Sequence, residues 1–334
     1  MAAKYSLGID FGGTKLLAAI VDLTDGRVVA TAKKRTSASD GPDDLMDRIF
    51  DVGDGAIKAA KIKPRDIVGV GVGVAGQVDA ERGLLLGTPN LSQSVVDLPM
   101  AARLTEHFGV PAAIRNDVQI AALGEERYGA GRDVPDFICV FVGTGVGGAI
   151  VQNGRLVHGA AGTAGEIGHL VVDAGGRLCG CGGHGHLEAY ASRTAITRHL
   201  LGELKRGRPS ILPELMPELD LGDSSQGGTA IRSGILAKAV AAKDDLVIEA
   251  IDEAGRYLGL GLASAINLLN PTRIVLGGGV IEALDLLFDV AVRQARREAL
   301  PTPARTVELV KAGLGDHSGV VGAALLGAEA AGPN

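Results

Sequence analysis

The chain has little of what several protein classes require. Three cysteines in 334 residues, two of them in one Cys-x-Cys pair, are too few for a disulfide framework and suit a reducing compartment. There is no block of lysine and arginine: 33 basic residues stand against 39 acidic ones, for a net charge of −6. That balance gives no footprint for nucleic acid. There is no long apolar run either. The longest uncharged stretch, Phe137 to Gly154, is broken by five glycines and by Thr144, Gln152 and Asn153, so no membrane span is expected. The opening MAAKYSLGID meets an aspartate where a signal peptide needs its apolar core, so none is expected. No Gly-Lys pair occurs, which excludes a Walker A loop. Together these absences lead us to expect a soluble cytoplasmic protein.

What remains is ordinary for a folded chain. Apolar residues make up 46% and charged residues 22%, which excludes disorder. The length suggests about two domains, and no Pro- or Ser-rich linker separates them, so the boundary is expected at a crossing point near Arg115. Glycine is the outlier, with 50 residues, roughly twice the usual share. The glycines sit between apolar runs, which points to tight turns and close backbone approaches.

Short apolar runs bounded by turn signals predict strands at Tyr5–Asp10, Leu16–Asp22 and Arg27–Thr31, then at Ile67–Val74 and Pro111–Ile114. Leu45, Ile49, Val52 and Ala56 recur at helical spacing. Asp97 is the expected N-cap of a helix carrying Leu104 and Phe108, and Asn116-Asp117 opens another that runs to Tyr128. The opening grammar of strand, glycine turn and returning strand then recurs at Phe137–Val142, Gly143–Gly148 and Ala149–Gln152, which suggests a duplicated α/β unit. The polar stretch 202–233 reads as a surface insertion. Ile248, Ile251, Gly255, Leu258, Leu262, Ala265 and Leu269 trace one face of a long helix ending before Pro271, followed by a strand at Arg273–Leu276 and a final helix from Ser318.

Three glycine-rich turns each follow an expected strand: Gly12-Gly13-Thr14-Lys15, Gly143-Thr144-Gly145 and Gly277-Gly278-Gly279. Without a Cβ in the way, backbone N–H groups can close around an anion, and Thr14, Thr144 and Lys15 add a hydroxyl or a charge. Gly71–Gly76 and Gly143–Gly148 both fit G-x-G-x-x-G, but neither is followed by the helix that a dinucleotide site requires. An NAD oxidoreductase is therefore not expected.

Histidines 169, 184 and 186 fall within eighteen residues of one another, alongside Cys179 and Cys181. Two thiolates and two imidazoles make a closed tetrahedral set, the donor set of a structural zinc ion. The ligand set expected is His169, Cys179, Cys181 and His186, with His184 able to substitute.

Hairpin turns of the Asp-x-Gly-Gly-Thr type resemble the phosphate loops of the actin, sugar-kinase and heat-shock-chaperone superfamily. In that superfamily Asp10 would bind Mg2+. The run GEIGHLVVDAGGRLCGCGGHGHLEAYAS, Gly165 to Ser192, resembles the signature of the ROK family (repressors, open reading frames, kinases). That family has a Gly-His followed by C-x-C-G-x-x-G-C-x-E. His186 stands where the third cysteine is usual, and Ala75 where a proline is usual before Gly76. The resemblance implies an α/β, two-domain actin-like (ribonuclease-H-like) sugar kinase fold with a cleft between its domains. Its small domain would comprise 1–115 plus about 317–334, and its large domain 116–316. It also implies phosphorylation of a hexose at O6, glucose first, by a glucokinase-like mechanism. Asp117 would be the catalytic base, and Gly76, Asn116, Asp117, Glu166, His169 and Glu188 would hold the sugar. ATP would lie on Asp10, Gly12, Gly13, Thr14, Lys15, Thr144, Gly145, Gly278 and Gly279. The cofactors implied are ATP, Mg2+ and structural Zn2+; the partners are a small sugar and a nucleotide, with no nucleic acid and no membrane, in a homodimer or homotetramer. A repressor of this family carries a DNA-binding segment ahead of the sugar domain, and the phosphate turn at Asp10 leaves no room for one, so a kinase is expected.

Overall fold

The structure is a computed structural model that describes residues 4–12, 15–35, 41–87, 96–219 and 230–332. The strands are, in order, β1 (Tyr5–Phe11), β2 (Lys15–Asp22), β3 (Val28–Arg35), β4 (Ile67–Val74), β5 (Gln77–Asp79) and β6 (Leu84–Gly87). They continue with β7 (Ala112–Asn116), β8 (Phe137–Val142), β9 (Val146–Gln152), β10 (Arg155–Leu156), β11 (Arg273–Gly277) and β12 (Glu308–Lys311). The helices begin with α1 (Pro42–Ala60), α2 (Met100–Phe108), α3 (Asp117–Tyr128), α4 (Glu188–Ala191), α5 (Arg193–Lys205) and α6 (Leu212–Leu215). They end with α7 (Ser233–Ala241), α8 (Asp245–Leu269), α9 (Gly279–Ala283), α10 (Asp285–Glu298), α11 (Pro301–Thr306) and α12 (Ser318–Ala330).

The chain divides into two compact units. The first comprises Met1–Cys139, Ala149–Ala164 and Ala312–Asn334; the second comprises Val140–Gly148 and Gly165–Lys311. This division keeps residues 116–139 with the first unit, whereas the sequence suggested a crossing near Arg115.

In the first sheet the strands lie in the order β3-β2-β1-β4-β7. β1 pairs antiparallel with β2, and parallel with β4. Both faces are covered, which is why β1 and β2 read as near-continuous apolar runs. On β2, Leu16, Ala18 and Ile20 join the core formed with α1 and α2, while Leu17, Ala19 and Val21 pack with Val320, Val321 and Ala324 of α12. α12 is buried along most of its length, and its small residues let it lie directly on the sheet. A Cβ added at Gly71 would stand 1.8 Å from the Ala323 carbonyl oxygen, a distance only glycine avoids.

A buried carboxylate ties α3 to the segment that leads into α12. Glu125 Oε2 accepts from the Ala130 N–H at 2.7 Å and the Gly313 N–H at 2.8 Å, and Oε1 accepts from the Leu314 N–H and the Ser318 hydroxyl at 3.0 and 2.7 Å. Sequence reading gave no sign of it, because Gly313, Leu314 and Ser318 lie nearly two hundred positions on.

The second sheet runs β10-β9-β8-β11-β12. Numbering strands within each sheet, both have the order third-second-first-fourth-fifth, the repetition expected from the shared grammar. α8 runs beside α10 in the second unit, with Asp244 as its N-cap and Asn270 in the left-handed conformation closing it before Pro271.

Three local expectations need correction. The N-cap of α2 is Pro99, not Asp97; Leu98 exchanges both backbone hydrogen bonds with Leu85, which leaves Asp97 two residues too early and at positive φ. β3 extends to Arg35 because it pairs with the whole of β2. The stretch 202–233 is not simply a surface insertion. Leu212, Met216 and Ile231 are buried, and Asp244 accepts from the Ser210 hydroxyl and the Ile211 N–H, both at 2.7 Å; its residues 220–229 lie outside the described ones. Among the described residues no helix is long and apolar enough to cross a membrane.

Candidate functional site

In the first unit the expected residues gather at the ends of β1, β4 and β7. Asp10 is the penultimate residue of β1. Burial, reinforced by the Asp117 and Asp316 carboxylates and opposed by Lys15, pushes its carboxyl up to about 7. The turn that follows closes with the Gly12 N–H donating to the Lys15 carbonyl at 3.1 Å; Gly13 and Thr14 lie outside the described residues. Lys15 is exposed at the start of β2. Gly76 makes a tight bend after β4, its N–H donating to the Val74 carbonyl at 2.9 Å.

The junction of β7 and α3 separates two roles that sequence alone left merged. Asn116 is the N-cap, its Oδ1 accepting from the Val118 N–H at 3.0 Å and the Gln119 N–H at 3.3 Å. Asp117 is the first helical residue, with Oδ1 accepting from the Val118 N–H at 2.9 Å. The ordinary account of an aspartate here, as the cap itself, thus belongs to its neighbour.

In the second unit a loop from Gly165 to Ser192 carries the cysteines and histidines. His169, Cys179, Cys181 and His186 each offer a ligand atom, and these atoms lie within 4.8 Å of one another. Donors around a tetrahedral zinc stand about 3.3–3.8 Å apart, so the set fits an ion after a small contraction. The two histidine Nδ1 atoms are 3.4 Å apart, and Cys181 Sγ is 3.2 Å from His186 Nδ1. His184 is not part of the cluster: its Nδ1 lies 3.2 Å from the Gly176 carbonyl oxygen. Burial pushes the Cys179 thiol up to about 11, so its thiolate at neutral pH requires a cation beside it. Gly183 leaves room for the His186 ring, since a Cβ there would meet Cε1 at 2.4 Å.

His169 faces two ways. Nδ1 looks toward the cluster, and Nε2 is 4.0 Å from the Glu166 carboxylate, which is more than half exposed. Glu188 has a similar double position. Its Oε2 accepts from the Val146 N–H at 2.9 Å, and its Oε1 lies 3.8 Å from Cys179 Sγ. Thus the cluster and the second glycine turn are joined through one carboxylate.

That turn is held by the start of α5. The Arg193 N–H donates to the Gly143 carbonyl, the Thr194 hydroxyl to the Thr144 carbonyl at 2.8 Å, and Arg193 Nη2 to Thr144 Oγ1 at 2.8 Å. The third turn packs against the end of β8. Gly278, at φ 89°, lies so close to Val142 that a Cβ would approach its carbonyl oxygen to 2.5 Å, and Gly279 begins α9.

A polar brace that the sequence did not reveal supports the loop from behind. The Tyr190 hydroxyl donates to Asp173 Oδ2 and accepts from the Arg177 N–H, both at 2.7 Å. The Arg177 guanidinium lies over the Tyr190 ring and pairs with both oxygens of Glu253 on α8 at 2.9 and 3.0 Å. Arg177, Tyr190 and Glu253 are far apart in sequence and carry no motif of their own.

The ROK family matches this chain over residues 6–330; the chain belongs to the ROK family. It is 34% identical to a glucokinase of Halalkalibacterium halodurans over 96% of this chain and 94% of that protein. The structure of a ROK family glucokinase from Streptomyces griseus in complex with glucose and AMPPNP superposes with a TM-score of 0.82 at 33% identity, covering 97% of this chain and 99% of that one. The fold is therefore α/β with mixed sheets, of the actin-like two-domain sugar kinase type. The Escherichia coli transcriptional repressor Mlc is also similar, at 28% identity over 97% of this chain and 76% of its own length.

Proposed function

We propose that this protein transfers a phosphoryl group from ATP to O6 of a hexose, glucose in the first place. The observation that carries the proposal is the similarity to glucokinases along nearly the whole of both chains. Asp117 acts as the general base, accepting the proton of the attacking sugar hydroxyl from the first turn of α3. Gly76, Asn116, Glu166, His169 and Glu188 receive the remaining hydroxyls, because carboxylates and amides accept from and donate to several at once. The nucleotide is held by Asp10, Gly12, Gly13, Thr14, Lys15, Thr144, Gly145, Gly278 and Gly279. Phosphoryl transfer then needs mainly positioning and charge neutralisation, which Mg2+ beside Asp10 supplies when bound.

His169, Cys179, Cys181 and His186 would hold zinc as a closed four-donor site, which has no open position for substrate. Their part is to fix the loop that presents His169 and Glu188, since a metal-ligating imidazole is oriented by what its other nitrogen meets. A second reading, a sugar-binding relative without turnover, is favoured by the similarity to Mlc.

The test is ADP release with Mg-ATP across a panel of hexoses and N-acetylhexosamines. The expected outcome is turnover with glucose, and a fall of about a thousandfold in Asp117→Ala with sugar affinity largely kept. Turnover confined to another hexose or an N-acetylated sugar would replace the substrate and keep the mechanism. Sugar binding without ADP release would favour the second reading.

A further inference from the structure

Arg193 is the first residue of α5, directly after its Ser192 cap, and sequence reasoning passed over it. Three features make its charge costly where it stands. A cation in the first turn of a helix is opposed by the helix dipole. The side chain is half-buried, and desolvation lowers its pKa from the usual guanidinium value. Among the described residues no carboxylate pairs with it, whereas Arg177, Arg208 and Arg256 of the same unit are paired with Glu253, Glu249 and Asp252. Neither helix stability nor an ion pair accounts for an arginine here.

Its contact with the second glycine turn supplies a reason. Nη2 donates to Thr144 Oγ1, so the threonine hydroxyl accepts from the guanidinium through one of its own lone pairs and keeps its proton for another acceptor. The Thr144 carbonyl is already taken by the Thr194 hydroxyl. The Gly143 N–H is given to the Gly145 carbonyl, so the turn offers a hydroxyl proton and the remaining guanidinium N–H groups, a set suited to a ligand that only accepts and carries dispersed negative charge. The first glycine turn has its cation within it, at Lys15. The second, Gly143–Gly148, has none in its own sequence, and Arg193 brings one from 49 positions further on.

We infer that Arg193 binds the polyphosphate chain of the nucleotide at the second glycine turn, with Thr144 oriented by it as a second donor. This rests on the nucleotide reading given above and names a residue that recognises the phosphates rather than the base.

The experiment is calorimetric titration of wild type, Arg193→Lys and Arg193→Ala with AMPPNP, ADP and AMP in the presence of Mg2+, with glucose affinity and circular dichroism as controls. In Arg193→Ala, affinity for AMPPNP and ADP is expected to fall about 10- to 100-fold, the effect of losing charge-assisted hydrogen bonds. AMP is weakened least, and Arg193→Lys recovers part of the loss. Arginine serving only to brace the turn would weaken all three nucleotides alike, and that result overturns the inference, as does AMPPNP affinity unchanged in Arg193→Ala. Should Arg193→Ala fail to fold, Arg193→Lys decides: a bare point charge cannot reproduce the planar fork, so undiminished AMPPNP affinity in it overturns the inference. Wild type that binds none of the three nucleotides overturns the nucleotide reading and this inference together. Wild type that phosphorylates sugar, with Arg193→Ala unaffected, overturns this inference alone.

Discussion

The two five-stranded sheets repeat one strand order, yet different forces hold what is attached to each. In the first, β1 and β4 are pressed between apolar layers, with α1 and α2 on one face and the small residues of α12 on the other. Its neighbourhood is a packing problem solved at close range, and almost every residue of β2 is buried. Attached to the second sheet, the loop 165–192 buries Ile167, Leu187 and Tyr190 but leaves Val171 and Leu178 about 60% exposed. Polar bonds and the Tyr190 and Glu253 brace hold much of the rest, around the four side chains that could hold a metal ion. Packing of the first kind tolerates no added volume, whereas an arrangement of the second kind fails when one donor is withdrawn.

Three measurements sharpen or break this contrast. Gly71→Ala carries the largest expected effect: the new methyl would meet the backbone of α12 itself, so we expect a loss of about 3 kcal/mol or more in urea unfolding, or no soluble protein. A change below about 1 kcal/mol would mean that α12 slides on the sheet and that the packing is looser than described. Cys181→Ser comes next. Metal analysis should find zinc in the wild type and little in the variant, and hydrogen exchange should rise over 165–192 while β1, β2 and β4 remain protected. Wild type free of zinc would remove the metal from the account, and exchange rising equally in both sheets would dissolve the contrast.

Asp22→Asn has the smallest effect. Lys4 and the Thr24 N–H hold the Asp22 carboxyl at about 2, below its ordinary 3.8. A depressed carboxylate stabilises the fold above its unfolded-state pKa and loses that contribution as pH falls toward 2. The variant should therefore lose about 1 kcal/mol at pH 7, a modest figure because Lys4 is largely exposed, and the difference should close between pH 4 and pH 2. A constant difference across that window would assign the effect to packing rather than charge.

How far the sequence could be read follows from the same contrast. The strands β1, β2, β4, β8 and β11 were legible because both their faces are covered and the apolar run is unbroken. The Cys–His cluster was legible because its four residues lie within eighteen positions and are all of types that can ligate a metal ion. Asn116 and Asp117 were located, but which of them caps α3 depends on where the backbone turns. Glu125, Arg193 and the Arg177–Tyr190–Glu253 brace stayed hidden, since each has partners 13 or more positions away and none belongs to a local pattern. The β12 strand and α10 were missed for a related reason: Glu308–Lys311 is strand because Arg273–Leu276 lies beside it, not because of its own composition.

The return of α12 to the first sheet has a consequence for how the molecule is made. A ribosome delivers β1, β2 and β4 early, but the helix that covers their second face is Ser318–Ala330. Until that segment has emerged, Leu17, Ala19 and Val21 lack Val320, Val321 and Ala324, the buried residues they pack with on that side. The part of the chain born first is thus finished last, and it must pass through synthesis of the whole second unit with one face of its sheet open to chaperones or to neighbouring chains.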